Sequence, residues 1–441
     1  MLEKFFKLSE NNTSVRTEAI GGLTTFMTMA YIIFVQPSML SQGGMDFGAV
    51  MMATCISAAI GTLIMGIYAN YPIALAPGMG ENVFFTYSVI LGLGVMWQQA
   101  LGVVFISGVL FFLLTIFKIR EKIMDSLSVS LKNAIAVGIG LLIAVIGLAD
   151  AGIIKNNPAA IATLGDIGSK PAVLAVTGIV ITLILYIRRI KGAILIGMLL
   201  TAIIGIPMGV VKYHGIVSMP PSITPTLFKL EIVSILNMSF VSIIVVFLFM
   251  DVLDTIGTLV GVSEQAGFIK DNKLPRAHKA LMADAVGTMS GALLGTSTIT
   301  SYIESAAGVE AGSRTGLSSV FTGLLFLFAI FFYPLVQAIG GGYQIEGGTI
   351  LYPVIAPALI LVGAMMMKNV GKIKWDDLTE SLPSFLIIIG MPLTYSPADG
   401  LAFGFIVYPV CKLAAGRGKE ITWFVYLMAA LFLARYVFFR F

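Results

Sequence analysis

The sequence is poor in charge. Of its 441 residues only 11% are Asp, Glu, Lys or Arg, whereas 58% are hydrophobic and the mean hydropathy is +0.97. A soluble domain carries about 25% charged residues, so this scarcity excludes a soluble globular chain and points to an integral membrane protein. Cysteine is nearly absent. Cys55 and Cys411 both lie in apolar runs, which predicts buried free thiols rather than a disulfide. Histidine is as scarce, and His214 and His278 stand far apart, so the sequence carries no metal-ligand cluster. The opening "MLEKFFKLSENNTSVRTE" is polar and lacks the apolar h-region of a cleavable signal peptide, so the first span is expected to direct insertion itself. The net charge of +4 gives no reason to expect a nucleic-acid partner; the expected partner is the lipid bilayer.

What abounds is apolar runs. A span needs about 20 apolar residues, fewer where it is broken or sheltered inside protein. Fourteen candidates fall near 18–40, 48–69, 72–93, 97–117, 127–149, 171–187, 193–211, 237–262, 278–295, 299–313, 315–338, 350–368, 382–394 and 399–415. Cationic loops test this register. With the N-terminus and its Lys4, Lys7 and Arg16 in the cytoplasm, alternate loops hold Lys118, Arg120 and Lys122; Arg188, Arg189 and Lys191; Lys270, Lys273, Arg276 and Lys279; Arg314; Lys368, Lys372 and Lys374; and Lys412, Arg417 and Lys419. The opposite loops hold only Lys155, Lys170, Lys212 and Lys229. The bias predicts a multi-pass protein of the cell membrane with a cytoplasmic N-terminus. A last apolar stretch, 421–439, contains Arg435, and as a fifteenth span it would leave Arg440 outside. An interfacial helix, or a redrawing of the last three segments, is expected there.

Two segments cannot be continuous helices. In "YPIALAPGMGENVFFTYSVILGLG" (71–94), Pro72, Pro77, Gly78 and Gly80 break the first half. In "GTSTITSYIESAAGVEAG" (295–312), Thr and Ser alternate with Ile in a strand-like pattern before a helix becomes possible near Tyr302. The two lie seven spans apart, which predicts two repeats of seven spans, the second inverted because seven is odd. Paired broken segments at matching positions point to a transport site, with half-helix N-termini near the midplane. The alternative is two helices weakened by packing glycines and prolines.

Carboxylates inside spans cost about 2.5–3.5 kcal/mol each on insertion scales. Asp251, Asp254, Asp284, Glu304 and Glu81 all fall within or at the edges of spans. In "SFVSIIVVFLFMDVLDTIGTLVGV" (239–262), Asp251, Asp254, Thr255 and Thr258 stand at i, i+3, i+4 and i+7, one polar stripe on an otherwise apolar helix. Glu304 begins the tenth half-helix, and Asn82 stands at a comparable place in the third. A buried polar network holding helices together is the competing reading, with Thr255 and Thr258 capping the aspartates. Gly257 and Gly261 form a GxxxG pair, whose usual meaning is close helix packing. A carboxylate suits a neutral, planar solute because it accepts N–H bonds in a fixed geometry, and in such a place it can also carry a proton. Phe84, Phe85 and Tyr302 are candidates for stacking on a ring.

The stretches "TTFMTMAYIIFVQPSML" (24–40), "ALAPGMGENVFFTY" (74–87), "MDVLDTIGTLVGV" (250–262) and "ADAVGTMSGALLGTSTITSYIESAAGVEAGSRTGLSSV" (283–320) resemble the AzgA-like purine permeases, the hypoxanthine, guanine and adenine transporters of the nucleobase–cation symporter (nucleobase–ascorbate transporter) superfamily. The resemblance covers nearly the whole chain. It implies an all-α polytopic membrane protein of 14 transmembrane segments, built as two inverted seven-span repeats with short strands in spans 3 and 10. It implies a core domain from 1–120 and 232–340 and a gate domain from 121–231 and 341–441. By motif match, substrate binding maps onto Asp251, Glu304 and Asn82; Asp254 maps onto an acid that matters for transport, and Asp284 onto one that is structural or coupling. The expected function is proton-coupled purine import with no cofactor, no enzymatic activity and a homodimer through the gate, with Asp254 or Glu304 carrying the proton. Two positions depart from the family pattern. Glu81 stands where many members have an apolar residue, and Ser313 where glycine is common. The rival readings are the same fold with uracil, xanthine or another small solute and, more remotely, an intramembrane enzyme. An aspartate dyad of that kind needs facing helices, whereas Asp251 and Asp254 project from one.

Overall fold

The computed structural model describes residues 2–117, 126–157, 159–236, 238–269, 274–345 and 348–438. Lys118, Arg120, Lys122, Lys270, Lys273 and Arg440, which enter the charge pattern above, lie outside the described residues. Helices dominate. A short turn, α1 (Leu2–Phe6), precedes a first span made of α2 (Val15–Met29) and α3 (Ile32–Gln42), joined at Ala30 and Tyr31. α4 (Phe47–Ile64) returns, and the third span breaks as its prolines and glycines require: strand β1 (Leu75–Pro77), helix α5 (Met79–Val83), then a π-helical stretch Phe84–Gly92. α6 (Trp97–Ile116), α7 (Val129–Asp150), the hairpin β2 (Ile154–Asn157) and β3 (Ala160–Leu164), α8 (Lys170–Ile187) and α9 (Ala193–Gly205) complete the first half.

The second half opens with α10 (Met238–Gln265) and α11 (Ala277–Leu294). Its broken segment is strand β4 (Ile299–Ser301) followed by α12 (Ser305–Glu310). Then come α13 (Gly316–Ala329), α14 (Tyr333–Gly340), the hairpin β5 (Tyr343–Gln344) and β6 (Ile350–Leu351), α15 (Ala356–Met366), α16 (Leu378–Thr394), α17 (Pro397–Ala414) and α18 (Trp423–Phe438). Among the described residues seven helices are long and apolar enough by themselves to cross a membrane, Val15–Gln42 and Phe240–Gln265 among them, and Ala193–Gly205, Leu378–Thr394 and Trp423–Val437 are shorter apolar helices. The number falls short of fourteen because two segments are broken by strands and others, such as Ala193–Gly205, Ala356–Met366 and Leu378–Thr394, are short helices. The protein is a multi-pass, mainly helical membrane protein with short strands in the two segments where breaks were expected.

Those strands meet. β1 and β4 pair antiparallel, Leu75 opposite Ser301, Ala76 opposite Thr300 and Pro77 opposite Ile299. A two-stranded ribbon in a membrane would leave two rows of backbone groups without partners. One threonine closes each outer edge. Thr62 of α4 accepts the Leu75 N–H at 2.9 Å and donates to the Leu75 carbonyl at 3.0 Å. Thr288 of α11 does the same for Ile299, at 3.1 Å in each direction. Each threonine follows a glycine, and these bring helix and ribbon together: a Cβ on Gly61 would lie 3.3 Å from Leu75 and from Ile299, and one on Gly287 3.0 Å from Ile299. The two halves of the chain thus use the same device at matching places.

The C-terminal stretch differs from the interfacial helix expected. α18 runs antiparallel along α17. Near its start the Thr422 hydroxyl donates to the Ser126 carbonyl at 2.8 Å, and near its end Arg435 lies 3.3 Å from Asp399, in the first turn of α17, with the Tyr436 hydroxyl on the same carboxylate at 2.8 Å. Between them Phe405 packs on Phe432 with ring centroids 6.1 Å apart. α18 therefore crosses the depth of the bundle instead of lying across its end, and its one cation is neutralised by an aspartate far away in sequence.

Candidate functional site

The site is built around the ribbon, because the two half-helices start where the strands stop. Glu304 occupies the cap position of α12. Its carboxylate accepts the Tyr31 hydroxyl at 2.7 Å, and its carbonyl accepts the Thr28 hydroxyl at 3.3 Å. The junction of α2 and α3 thus supports the start of α12. The Tyr302 hydroxyl donates to the Pro77 carbonyl at 2.5 Å, which ties the two broken segments together across the ribbon. On the other strand, Gly78 leaves room for the carboxylate of Glu81, which a Cβ there would strike. Glu81 is buried in the first turn of α5, and its Oε2 has no partner among the described residues.

Asn82, also in α5, is completely buried. Its Oδ1 accepts the Ser297 hydroxyl. Gln36 of α3 donates to Ser297 Oγ at 3.2 Å and to Thr296 Oγ1 at 2.8 Å. Asn82 Nδ2 has no partner among the described residues. That leaves an amide donor in a dry place with its acceptor side already fixed, an arrangement that favours an incoming acceptor.

α10 divides the stripe read from the sequence. Asp251 and Thr255 are fully buried, and Thr258 nearly so. The Thr255 hydroxyl donates to Asp284 of α11 at 2.7 Å, so it braces α10 on α11 instead of capping an aspartate on its own helix. Asp254 is half-buried and turns toward the half-helices. Asp254 interacts electrostatically with both Glu81 and Glu304, with Tyr31 and Tyr302 beside them and Thr300 of β4 close to Asp254. None of these three carboxylates has a lysine or arginine partner among the described residues. Of the sequence candidates, the structure therefore gathers Glu81, Asp254, Glu304 and Tyr302 in one neighbourhood, holds Asn82 on the adjoining network, and ties Asp284 to α10.

Other candidates sit behind this group. Phe84 and Phe85 pack on Phe247 of α10, with centroids 4.8 and 6.5 Å apart. The GxxxG pair is not a tight helix interface: a Cβ on Gly257 would meet nothing within 4 Å, and one on Gly261 only Ile303, at 3.4 Å. Asp254, Gly257, Gly261 and Glu264 instead make a stripe of small and acidic residues leading from the site to the end of α10. Opposite α5, a Cβ on Gly80 would come 3.0 Å from Ile139 of α7, so α7 covers the half-helix. Sequence reasoning missed Tyr31, Gln36, Ser297, Thr62 and Thr288. Tyr31 and Gln36 were open to detection as polar residues in the first apolar run, and the threonines as the repeated Gly-Thr pair of the second and ninth spans.

The permease family model Xan_ur_permease matches residues 16–402. The chain is 44% identical over 451 residues to the guanine/hypoxanthine permease PbuG of Bacillus subtilis (strain 168), covering 100% of both chains. It is 40% identical over 439 residues to the adenine permease AdeP of Escherichia coli (strain K12), covering 99% of this chain and 96% of that one. The transmembrane domain of the bicarbonate transporter BicA of a cyanobacterium superposes with a TM-score of 0.64 at 15% identity, over 87% of this chain and 97% of that chain, a likeness of fold alone. The chain belongs to this permease family, among the AzgA-like purine permeases of the nucleobase–cation symporter superfamily, and is a transporter rather than an enzyme.

Proposed function

We propose that the protein imports purine nucleobases (hypoxanthine, guanine or adenine) across the cell membrane by proton symport and alternating access. The observation that carries this reading is the meeting of Glu81, Asp254 and Glu304 at paired half-helices, with no cation partner among the described residues. Such a group suits the ring N–H edges of a neutral base and repels anions. The names of the relatives support the same substrate class. Like charges this close are relieved when one carboxylate is protonated, which is the reason to name the proton as the coupling ion.

In this proposal Glu304 and Asp254 hold the base, and Asn82 Nδ2 donates to it from the third span. The deeper burial of Asp251 than of Asp254 supports exchanging the roles expected from the sequence, with Asp251 as the group that links base binding to the proton. Inverted repeats are supported by the Thr62 and Thr288 clamps on the two strands. The core would comprise 1–120 and 232–340 and the gate 121–231 and 341–441, with a cytoplasmic N-terminus and a homodimer through the gate. The test is uptake by purified protein in liposomes, with each base and each ion gradient imposed separately. Purine accumulation driven by an inward proton gradient is expected. Accumulation that follows a sodium gradient alone would remove the proton from the reading, and uptake of uracil in preference to every purine would remove the purine.

A further inference from the structure

Glu18 stands in the first turn of α2 and is completely buried. A carboxylate buried in a span is costly unless something holds it. Backbone amides do so here. Its Oε1 accepts the N–H of Arg314 at 2.8 Å and that of Thr315 at 3.2 Å, and its Oε2 accepts the N–H of Ser318 at 3.2 Å. These groups lead into α13, whose first N–H groups have no partner within the helix, and a negative charge is favoured at that end. Glu18 therefore caps α13 from another helix.

The same face of α2 reaches the Glu304 site. Glu18, Gly21, Thr25 and Thr28 stand at i, i+3, i+7 and i+10, one stripe along the helix. α12 runs against this stripe in the opposite direction. A Cβ on Gly308 would come 2.2 Å from Thr25 Oγ1 and 2.7 Å from the Gly21 carbonyl oxygen, and one on Gly21 would strike the side chain of Ser313. Backbone thus meets backbone at Gly21 and Gly308, and Ser313, which departs from the family pattern, fills the space that Gly21 leaves open. At the site end, Thr28 and Tyr31 hold the carbonyl and the carboxylate of Glu304. At the far end Arg314 is tied twice. Its backbone N–H is on Glu18, and its Nη1 donates to the Val309 and Ser313 carbonyls at 2.7 Å each, which closes the last turn of α12. Ten residues separate Glu18 from Thr28, and ten separate Glu304 from Arg314, so the two ends of the contact are in register. α12 spans only Ser305–Glu310. A helix that short does not hold itself together, and its placement comes from these attachments.

We propose that Glu18 is a positioning residue for Glu304. It is enclosed in protein at the far end of the α2–α12 contact and touches no solute. By capping α13 it fixes the turn 311–315 and, through Arg314, the end of α12. α12 then cannot slide along α2, and the Glu304 carboxylate keeps the height at which the Tyr31 hydroxyl reaches it. A binding group misplaced by about 1 Å loses much of its contribution, so a carboxylate remote from the solute still sets how well the solute is held. The inference rests on the proposed function, because it takes Glu304 as an acid that holds the base.

The test is a double-mutant cycle read by equilibrium binding of radiolabelled hypoxanthine to purified full-length protein in nanodiscs. Wild type is compared with Glu18→Gln, Glu304→Gln and the double variant Glu18→Gln/Glu304→Gln; thermal melting monitors the fold. Glu18→Gln keeps the shape of the side chain and one acceptor oxygen. It should weaken binding about tenfold when Glu304 is present and less than about twofold in the Glu304→Gln background, because the group it misplaces is no longer there. A merely structural cap would weaken binding equally in both backgrounds. That result, or binding unchanged by Glu18→Gln, overturns the inference and leaves the proposed function standing. Where Glu18→Gln does not fold, Glu18→Asp, which keeps the charge and shortens the reach by one methylene, enters the same cycle with the same two outcomes. Failure of wild type to bind hypoxanthine, guanine or adenine would overturn the proposed function and this inference together.

Discussion

Two groups of acids sit in one chain and are treated in opposite ways. At one end of α16 and α17 Lys412 is completely buried, 2.8 Å from Glu380 and 2.8 Å from Glu420. Arg417 bridges Asp377 and Glu420 at 2.7 Å each. The hydroxyls of Tyr408 and Ser128 complete Glu380, at 3.0 and 2.7 Å. Each acid here has its countercharge, and the group ties α7, α16 and α17 at one end. In the core, Glu81, Asp254 and Glu304 come from three different segments and have no cation partner among the described residues. Charge compensation costs a protein only a lysine or arginine, and this chain uses it away from the proposed site. Where it is withheld, the acids remain available to a solute and a proton.

Removing a countercharge should do the most damage. Lys412→Met leaves the buried Glu380 with an uncompensated charge, while Glu420 keeps Arg417; breaking a buried pair in this way typically costs about 3–5 kcal/mol. We expect a large fall in melting temperature in detergent, partly restored in Lys412→Met/Glu380→Gln, where the orphaned charge is gone too. Equal melting of the single and double variants would show that the network does not hold α7, α16 and α17 together. The core acids should respond in the opposite sense. Glu304→Gln or Asp254→Asn should lower purine uptake on the order of a hundredfold, roughly 3 kcal/mol for a lost charged hydrogen bond, while melting stays close to wild type or rises. A core variant that melts early but transports at the wild-type rate would invert the comparison.

Acid should separate the two groups less sharply. The Arg417 guanidinium and the Lys412 ammonium pull Glu420 down to about 2 from an ordinary 4.5. Hydrogen bonds from Thr379 and Arg417 hold Asp377 well below the usual carboxylate range. A depressed folded value means stability that is complete above the ordinary carboxylate value and is lost as pH falls toward the folded one. The melting temperature should therefore hold down to about pH 4.5 and decline between there and about pH 2, and Glu420→Gln should flatten that decline. Glu420 and Asp377 are both partly solvent-exposed, so the effect is modest and shrinks at high salt.

Much of this was legible in the sequence for identifiable reasons. Pro72, Pro77 and Gly78 cannot sit in a helix, and the alternation in 295–301 fits a strand, so both breaks were expected where β1 and β4 lie. That the strands pair with each other depends on contact between segments more than two hundred residues apart, which no local pattern encodes, whereas Thr62 and Thr288 close edges only 13 and 11 residues away and left a local trace in the repeated Gly-Thr pair. The stripe on α10 was visible, but not its division. Spacing places Asp251 and Asp254 on one side of a helix, and only the neighbours decide that Thr255 serves Asp284 while Asp254 turns to Glu304. Arg435 misled for the same reason. A cation in an apolar stretch looks like a reason not to span, until Asp399 appears beside it.

Tyr31 offers the finest probe of the contrast, because it is what the core supplies to Glu304 in place of a cation. Its hydroxyl donates at 2.7 Å to a carboxylate that no lysine or arginine reaches among the described residues. A neutral donor orients the acid and stabilises it only in part, so the acid can still exchange partners; Glu380, locked to Lys412, cannot. Tyr31→Phe keeps the ring and deletes the donor. Its expected cost is about 1 kcal/mol, a roughly fivefold rise in KM for purine uptake, with melting unchanged. Placing a cation there, Tyr31→Lys, should instead reproduce the gate arrangement in the core: melting equal to or above wild type, and uptake lost as completely as in Glu304→Gln. Uptake that survives Tyr31→Lys would mean that Glu304 does not need to be free of countercharge, and the distinction between the two groups of acids would fail.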